Sequence, residues 1–114
     1  MVANDTNKLL SQMRRGSIEY CVLALLEFRD HYGLEITKVL TEADGLVTSE
    51  GTVYPLLTRL RNDGLVDSYW EESVEGPPRR YYHLTDKGQQ ALKPFREQWL
   101  RFRDAVDEIL SRGA

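Results

Sequence analysis

The stretch after Thr85 constrains this chain more than any other. Leu92, Phe95, Trp99, Phe102, Val106 and Ile109 are separated by alternating steps of three and four residues, the spacing that keeps an apolar seam on one side of a helix. Thr85 offers an N-cap, and the helical pattern runs to about Ser111. A helix of about 26 residues is roughly 39 Å long at about 1.5 Å per residue. The whole chain has 114 residues, enough for one domain with one core. That domain is shorter than the helix leaving it and cannot fold back over the full seam. A second copy of the chain is the economical cover, so the seam predicts a homodimer through these six side chains. Pro94 lies inside the helix and predicts a kink near residue 90.

Upstream, residues 4–14 place Leu9, Leu10 and Met13 at helical spacing, a short amphipathic helix suited to capping the seam. Arg15-Gly16 breaks it, and Ser17 is the expected N-cap of a helix over 18–29 that is apolar nearly all round and therefore central to the core. A turn over 30–33 leads to an amphipathic helix over 34–43, with Leu34, Ile36, Val39 and Leu40 expected to face inward, ended by Asp44-Gly45. Ser49 then caps a third helix over 50–63, whose Val53, Leu56, Leu57 and Leu60 form the inward stripe, and Gly64 suits a left-handed C-terminal cap. Two alternating, aromatic-rich runs, 65–72 and 79–84, flank Ser73 to Pro78 and read as a β-hairpin with a flexible tip. The fold class is mainly α with a two-stranded β-wing. It is a winged helix-turn-helix over 1–84, including the N-terminal helix, followed by a dimerisation helix over 85–114.

In that arrangement the third helix enters the major groove of DNA and the hairpin reaches the flanking backbone. Gly51, Pro55, Thr58 and Asn62 lie opposite its apolar stripe. A first turn so poor in side chains brings the helix N-terminus close to phosphates and base edges, with Ser49, Thr52, Tyr54 and Thr58 as contacts. Arg59 flanks them, and Lys38 on the second helix suits a backbone contact. Arg79 and Arg80 stand where a wing meets phosphates. Adjacent strand residues face opposite ways, so one should aim at DNA and the other pair with Glu71 or Glu72. The net charge of −3 hides a division. Residues 79–103 hold seven Lys and Arg against two acids, whereas 63–75 hold five acids and no base, so an acidic chain can still present a basic face.

The runs Arg15-Gly-Ser-Ile-Glu-Tyr, Tyr32-Gly-Leu-Glu-Ile, Ser49-Glu-Gly-Thr-Val-Tyr-Pro-Leu-Leu-Thr-Arg-Leu, Asp63-Gly-Leu-Val and Arg79-Arg-Tyr-Tyr-His-Leu-Thr-Asp-Lys-Gly resemble the PadR family of bacterial transcriptional regulators over nearly the whole chain. The resemblance implies dimeric, usually repressing DNA-binding proteins, many released by small aromatic or amphipathic effectors. It also implies that short members dimerise through one C-terminal helix together with the N-terminal helix. Pro94 departs from the pattern of a continuous arm.

Trp99 and Phe102 are bulky for a tight seam, which makes the dimer centre a candidate site for a small aromatic effector. No nucleophile elbow, phosphate loop or metal-spaced His, Cys and Asp cluster is present in the sequence, so neither an enzyme nor a cofactor is expected. No apolar run approaches the length that spans a bilayer, and the polar start, Met1 to Lys8, lacks a signal peptide's apolar stretch. The expectation is a cytoplasmic protein. Cys21 is alone and reads as a small buried hydrophobe. The rival reading is a winged-helix module that binds protein instead of DNA, favoured by the acidic stretch over 63–75.

Overall fold

A computed structural model describes residues 2–43, 46 and 50–113, with the side chains of 2–5, 7 and 50 set aside. The elements run α1 (Val2–Arg14), α2 (Ile18–Phe28), β1 (His31–Tyr32), α3 (Gly33–Glu42), α4 (Glu50–Asn62), β2 (Val66–Ser73), β3 (Gly76–Leu84) and α5 (Asp86–Ser111). The sheet is antiparallel in the order β1-β3-β2. This is the winged helix-turn-helix with its long terminal helix, enlarged by one short strand.

The core lies where α2, α3, α4 and the base of the wing meet. Val22, Leu23, Ile36, Leu40, Val53, Leu57, Leu60 and Val66 are its fully enclosed side chains. The α4 stripe is buried as its spacing requires. On α3 the inward set differs: Leu34 and Val39 are exposed, and Thr37 is buried instead, its hydroxyl donating to the Gly33 carbonyl at 3.0 Å. Gly33, Ile36, Thr37 and Leu40 fall at i, i+3, i+4 and i+7 on one buried face, which leaves Leu34 and Val39 outside it.

Local chemistry sets the boundaries. Ser17 is not a side-chain cap, because its backbone is already helical at φ −105° and ψ −36°. Gly16, at φ +81°, makes the reversal just before it, so the chain enters α2 with its geometry in place. The expected turn over 30–33 is instead β1, with His31 paired to Tyr82 and Tyr32 to Tyr81. At the end of α4, Gly64 adopts φ +77°; its N–H donates to the Arg61 carbonyl at 3.0 Å and that of Leu65 to the Leu60 carbonyl at 3.0 Å. Those two bonds form a Schellman closure. The Ser49 cap lies outside the described residues.

The wing is longer than the sequence suggests. Its strands reach Ser73 and Gly76, leaving only Val74 and Glu75 at the tip. Pro77 and Pro78 extend β3, since their fixed φ suits extended backbone and β1 covers only the far end of that strand. At the base, Thr85 caps α5 by accepting from the Gly88 N–H at 3.0 Å and donates to the Gly64 carbonyl at 2.7 Å. The helix then runs uninterrupted through Pro94. Among the described residues no helix is long and apolar enough to cross a membrane.

Candidate nucleic-acid interface

An open groove of about 550 Å³ separates the inner face of the wing from α3 and α4, lined among others by Leu34, Tyr54, Thr58, Trp70, Pro78, Arg79, Arg80 and Tyr82. Four of the candidate DNA contacts thus meet in one concavity: Tyr54 and Thr58 from α4, Arg79 and Arg80 from β3. Thr52 is exposed on the same helix and Lys38 on α3. Ser49 lies outside the described residues.

Each groove side chain is held by its neighbours. A Cβ on Gly33 would stand 2.5 Å from Tyr54 Cε1, so only glycine lets the Tyr54 ring lie against the start of α3. Tyr54 therefore fixes α4 against α3 while remaining partly exposed. Thr58 donates its hydroxyl to the Tyr54 carbonyl one turn back at 3.1 Å, leaving its oxygen lone pairs for a donor outside.

The two arginines face opposite ways, as strand alternation requires, yet both border the groove. Arg79 lays its guanidinium 4.5 Å from the centre of the Tyr32 ring instead of pairing with Glu71, its partner in register. Arg80 donates from Nε to Ser68 Oγ at 3.0 Å and lies near the rings of Trp70 and Tyr82, at 5.7 and 6.0 Å. These cation–π contacts hold each charge in place without neutralising it. Arg59 is different: it pairs with Glu19 of α2 at 3.3 Å, so its charge is engaged inside the subunit.

Sequence reasoning missed Tyr32, Ser68, Trp70 and Tyr82 as supports of the arginines. The alternation of aromatics along the hairpin was the available signal for Trp70 and Tyr82; Tyr32 had none without knowledge of β1. It also missed Asp30, in the link before β1. Asp30 accepts a hydrogen bond from Tyr69 Oη at 2.6 Å, and its other oxygen lies 2.9 Å from His83 Nδ1. Partial burial works against the ionised carboxylate, but the bonds to Tyr69 and His83 outweigh it and hold the Asp30 carboxyl below its ordinary range. The same bond pushes the Tyr69 phenol up to about 12. A lowered acid contributes stability above its unfolded pKa and loses it as pH falls through the folded value. A raised phenol contributes below its unfolded pKa and loses it as pH rises through the folded one. The link is therefore intact across the neutral range and fails at both extremes.

Residues 22–94 match the transcriptional regulator PadR-like family. The chain belongs to this family. It is 32% identical over 83 residues to a transcriptional regulator of Mycobacterium tuberculosis, covering 73% of this chain and 76% of that one. A PadR-like transcriptional regulator from Bacillus cereus superimposes with a TM-score of 0.79 at 35% identity, covering 87% of this chain and 96% of that chain. A PadR family transcriptional regulator from Eggerthella lenta gives 0.78 at 32% identity, covering 94% and 93%. The family is one of transcription regulators, not of enzymes.

In this PadR-like chain the α5 seam divides in two. Leu92 is only 2% exposed and belongs to the subunit's own core, which corrects its assignment to a dimer seam: the first turns of α5 pack on α2 and the wing base and leave Leu92 nothing to offer a partner. Phe95 is half-buried and stacks on Tyr20 of α2, ring centres 4.2 Å apart and nearly parallel. Beyond it Trp99, Phe102, Val106 and Ile109 are exposed, joined by Leu110 on the same side; on α1, Leu9 and Met13 are exposed and Leu10 is half-buried. Phe95, Trp99 and Phe102 form a ladder with centre spacings of 6.0 and 6.3 Å. With Ser17 and Gln98 they line a hollow of about 280 Å³.

Proposed function

We propose that the chain is a transcriptional repressor that binds double-stranded DNA as a homodimer on a pseudo-palindromic operator and is released by a small aromatic effector. The observation that carries the reading is the pair of guanidiniums, Arg79 and Arg80, fixed on aromatic rings beside α4 with no carboxylate partner among the described residues. A phosphate is the natural complement of such groups, because it neutralises a charge whose geometry is already set. Tyr54 and Thr58 line the same groove and are read as further contacts, as are the exposed Lys38 and Thr52 and Ser49, which precedes Glu50 in the sequence. Arg59 contributes to the field of that face but makes its own pair with Glu19.

The DNA-binding unit is residues 1–84 and the arm 85–114, the first turns of the arm being shared with the core. Trp99, Phe102, Val106 and Ile109, together with Leu9, Leu10, Met13 and the outer edge of Phe95, make the dimer contact. Support comes from the exposed stripe itself, since so large a run of rings and branched side chains on one helix face is unusual on a monomer. Two-fold symmetry would set the half-sites about one helical turn apart, or a multiple of it.

Duplexes selected from a genomic library provide the test. Affinity should fall steeply with salt. The double substitution Arg79→Ala, Arg80→Ala should reduce the slope of log affinity against log salt by about two, one for each phosphate that the arginines no longer neutralise. Binding indifferent to salt, or unchanged in the double variant, would remove the basis of the proposal.

The effector reading rests on the aromatic hollow beside Trp99. With Trp70→Phe leaving Trp99 as the sole tryptophan, titration with 2-naphthoate or acridine should quench and shift its emission and weaken DNA binding in parallel. A flat titration with both probes counts against an effector site there.

A further inference from the structure

On the outer face of the sheet a chain of contacts begins at Asp30 and ends on a groove arginine. Asp30 holds Tyr69 of β2 at 2.6 Å and His83 of β3 at 2.9 Å. The Tyr69 ring stacks on Tyr81, centres 5.7 Å apart and 12° from parallel. Tyr81 in turn meets Tyr32 of β1 edge-on at 5.5 Å, and Tyr32 is the ring on which the Arg79 guanidinium lies, at 4.5 Å. One carboxylate thus clamps two wing strands to the link that follows α2, and the three tyrosines carry that restraint across the sheet.

We propose that Asp30 is a positioning residue for DNA binding, fixing Arg79 at the groove through Tyr69, Tyr81 and Tyr32. The inference rests on the DNA-binding reading above. Asp30 is itself an acid, repelled by phosphate, so its contribution to affinity runs through the relay and not through contact. A long side chain free in solvent surrenders rotamer freedom when it grips a phosphate; one already laid on a fixed ring surrenders less and binds more tightly for the same contact. Arg80 has a separate support in Ser68 and does not depend on this chain of rings.

A double-mutant cycle separates positioning from mere stability. With a fluorescent duplex and measured folded fractions, Asp30→Ala should weaken binding about fivefold, the scale of one charged hydrogen bond partly transmitted. In an Arg79→Ala background the same change should cost less than about twofold, within the error of independent sites. Losses that multiply, or no loss in the single variant, would overturn the proposal. Should Asp30→Ala not fold, Tyr69→Phe removes only the hydroxyl that reaches Asp30 and is read in the same way. Nitrogen relaxation at Arg79 Nε in the DNA-free protein gives a second measure. Asp30→Ala or Tyr69→Phe should raise Arg79 mobility and leave Arg80 unchanged, and equal mobility at Arg79 in variant and parent defeats the relay. Because this readout needs no DNA, failure of the parent protein to bind any duplex would sink the DNA-binding reading while the relay is still judged independently.

Discussion

In the homodimer proposed above, Phe102→Glu combined with Ile109→Glu is expected to halve the mass of the particle in solution, from two chains to one, and to lower affinity for the selected duplexes by at least about 100-fold. Both side chains are exposed on the outer half of α5, Phe102 to 65% and Ile109 to 59%, and neither supports the subunit core. The subunit should therefore keep its fold. What disappears is the link that turns engagement of the second half-site into an intramolecular event at high effective concentration. Two carboxylates set against their symmetry mates in a desolvated seam repel each other and lose hydration together. Sedimentation equilibrium and DNA titration on the same sample check both halves of the statement. A variant that stays dimeric places the interface elsewhere. One that becomes monomeric and keeps its affinity shows that DNA binding does not need two half-sites.

The second large effect is expected at the junction of wing and arm. A Cβ on Gly88 would stand 2.1 Å from the Leu65 backbone carbonyl oxygen and 2.5 Å from Leu84 Cδ1. The first of these is backbone in the turn that Thr85 ties to Gly64 at 2.7 Å, where Lys87 also donates to the Asp63 carbonyl at 2.8 Å. Nothing there yields cheaply, so Gly88→Ala should destabilise the protein by about 3 kcal/mol, as severe overpacking does. At that cost a domain of this size loses roughly 15 °C in Tm. Gly113→Ala, whose added Cβ meets nothing within 4 Å, is the control and should leave Tm unchanged. Calorimetry of the two variants decides the matter; a Gly88→Ala protein melting with the parent would mean that α5 can shift away from the wing base freely.

Several features were legible because they follow from short-range rules. The α4 stripe, Gly64 as a left-handed cap and Thr85 as an N-cap need only helical periodicity and the preferences of helix ends. The wing was visible from alternation and aromatic content. Its extent was not, since Gly76-Pro-Pro78 carries the usual marks of a loop and becomes strand where β1 no longer covers that edge of β3 and so asks the prolines for no N–H. Ser17 does stand at the N-cap position of α2, but its own backbone is already helical and its side chain makes no capping bond, a detail that residue preference does not show. On α3 the apolar residues do not mark the inward face: Gly33, against which Tyr54 packs, and Thr37 take inward positions beside Ile36 and Leu40, and a reading by hydrophobicity passes over both.

The candidate site divides in the same way. Arg79 and Arg80 stood out as adjacent cations at the base of a hairpin, yet whether they would be neutralised by Glu71 and Glu72 or kept available depended on which rings lay beneath them. Tyr32 and Trp70 decide that, and Tyr32 comes from a strand of two residues that no local pattern announces. Arg59 looked equivalent to the other arginines until Glu19, 40 positions away, took its charge.

The arm shows most plainly what each level decided. By itself the sequence determined that the segment after Thr85 is a long helix with one apolar face, because side-chain spacing repeats with the helical turn and needs no knowledge of neighbours. Only the tertiary structure decided where along that face the subunit ends. Leu92 disappears into its own core and Phe95 rests on Tyr20, while Trp99, Phe102, Val106 and Ile109 are left uncovered by their own subunit. Periodicity assigns a side chain to a face but is blind to what stands opposite it, and what stands opposite is set by contacts between residues far apart in the chain.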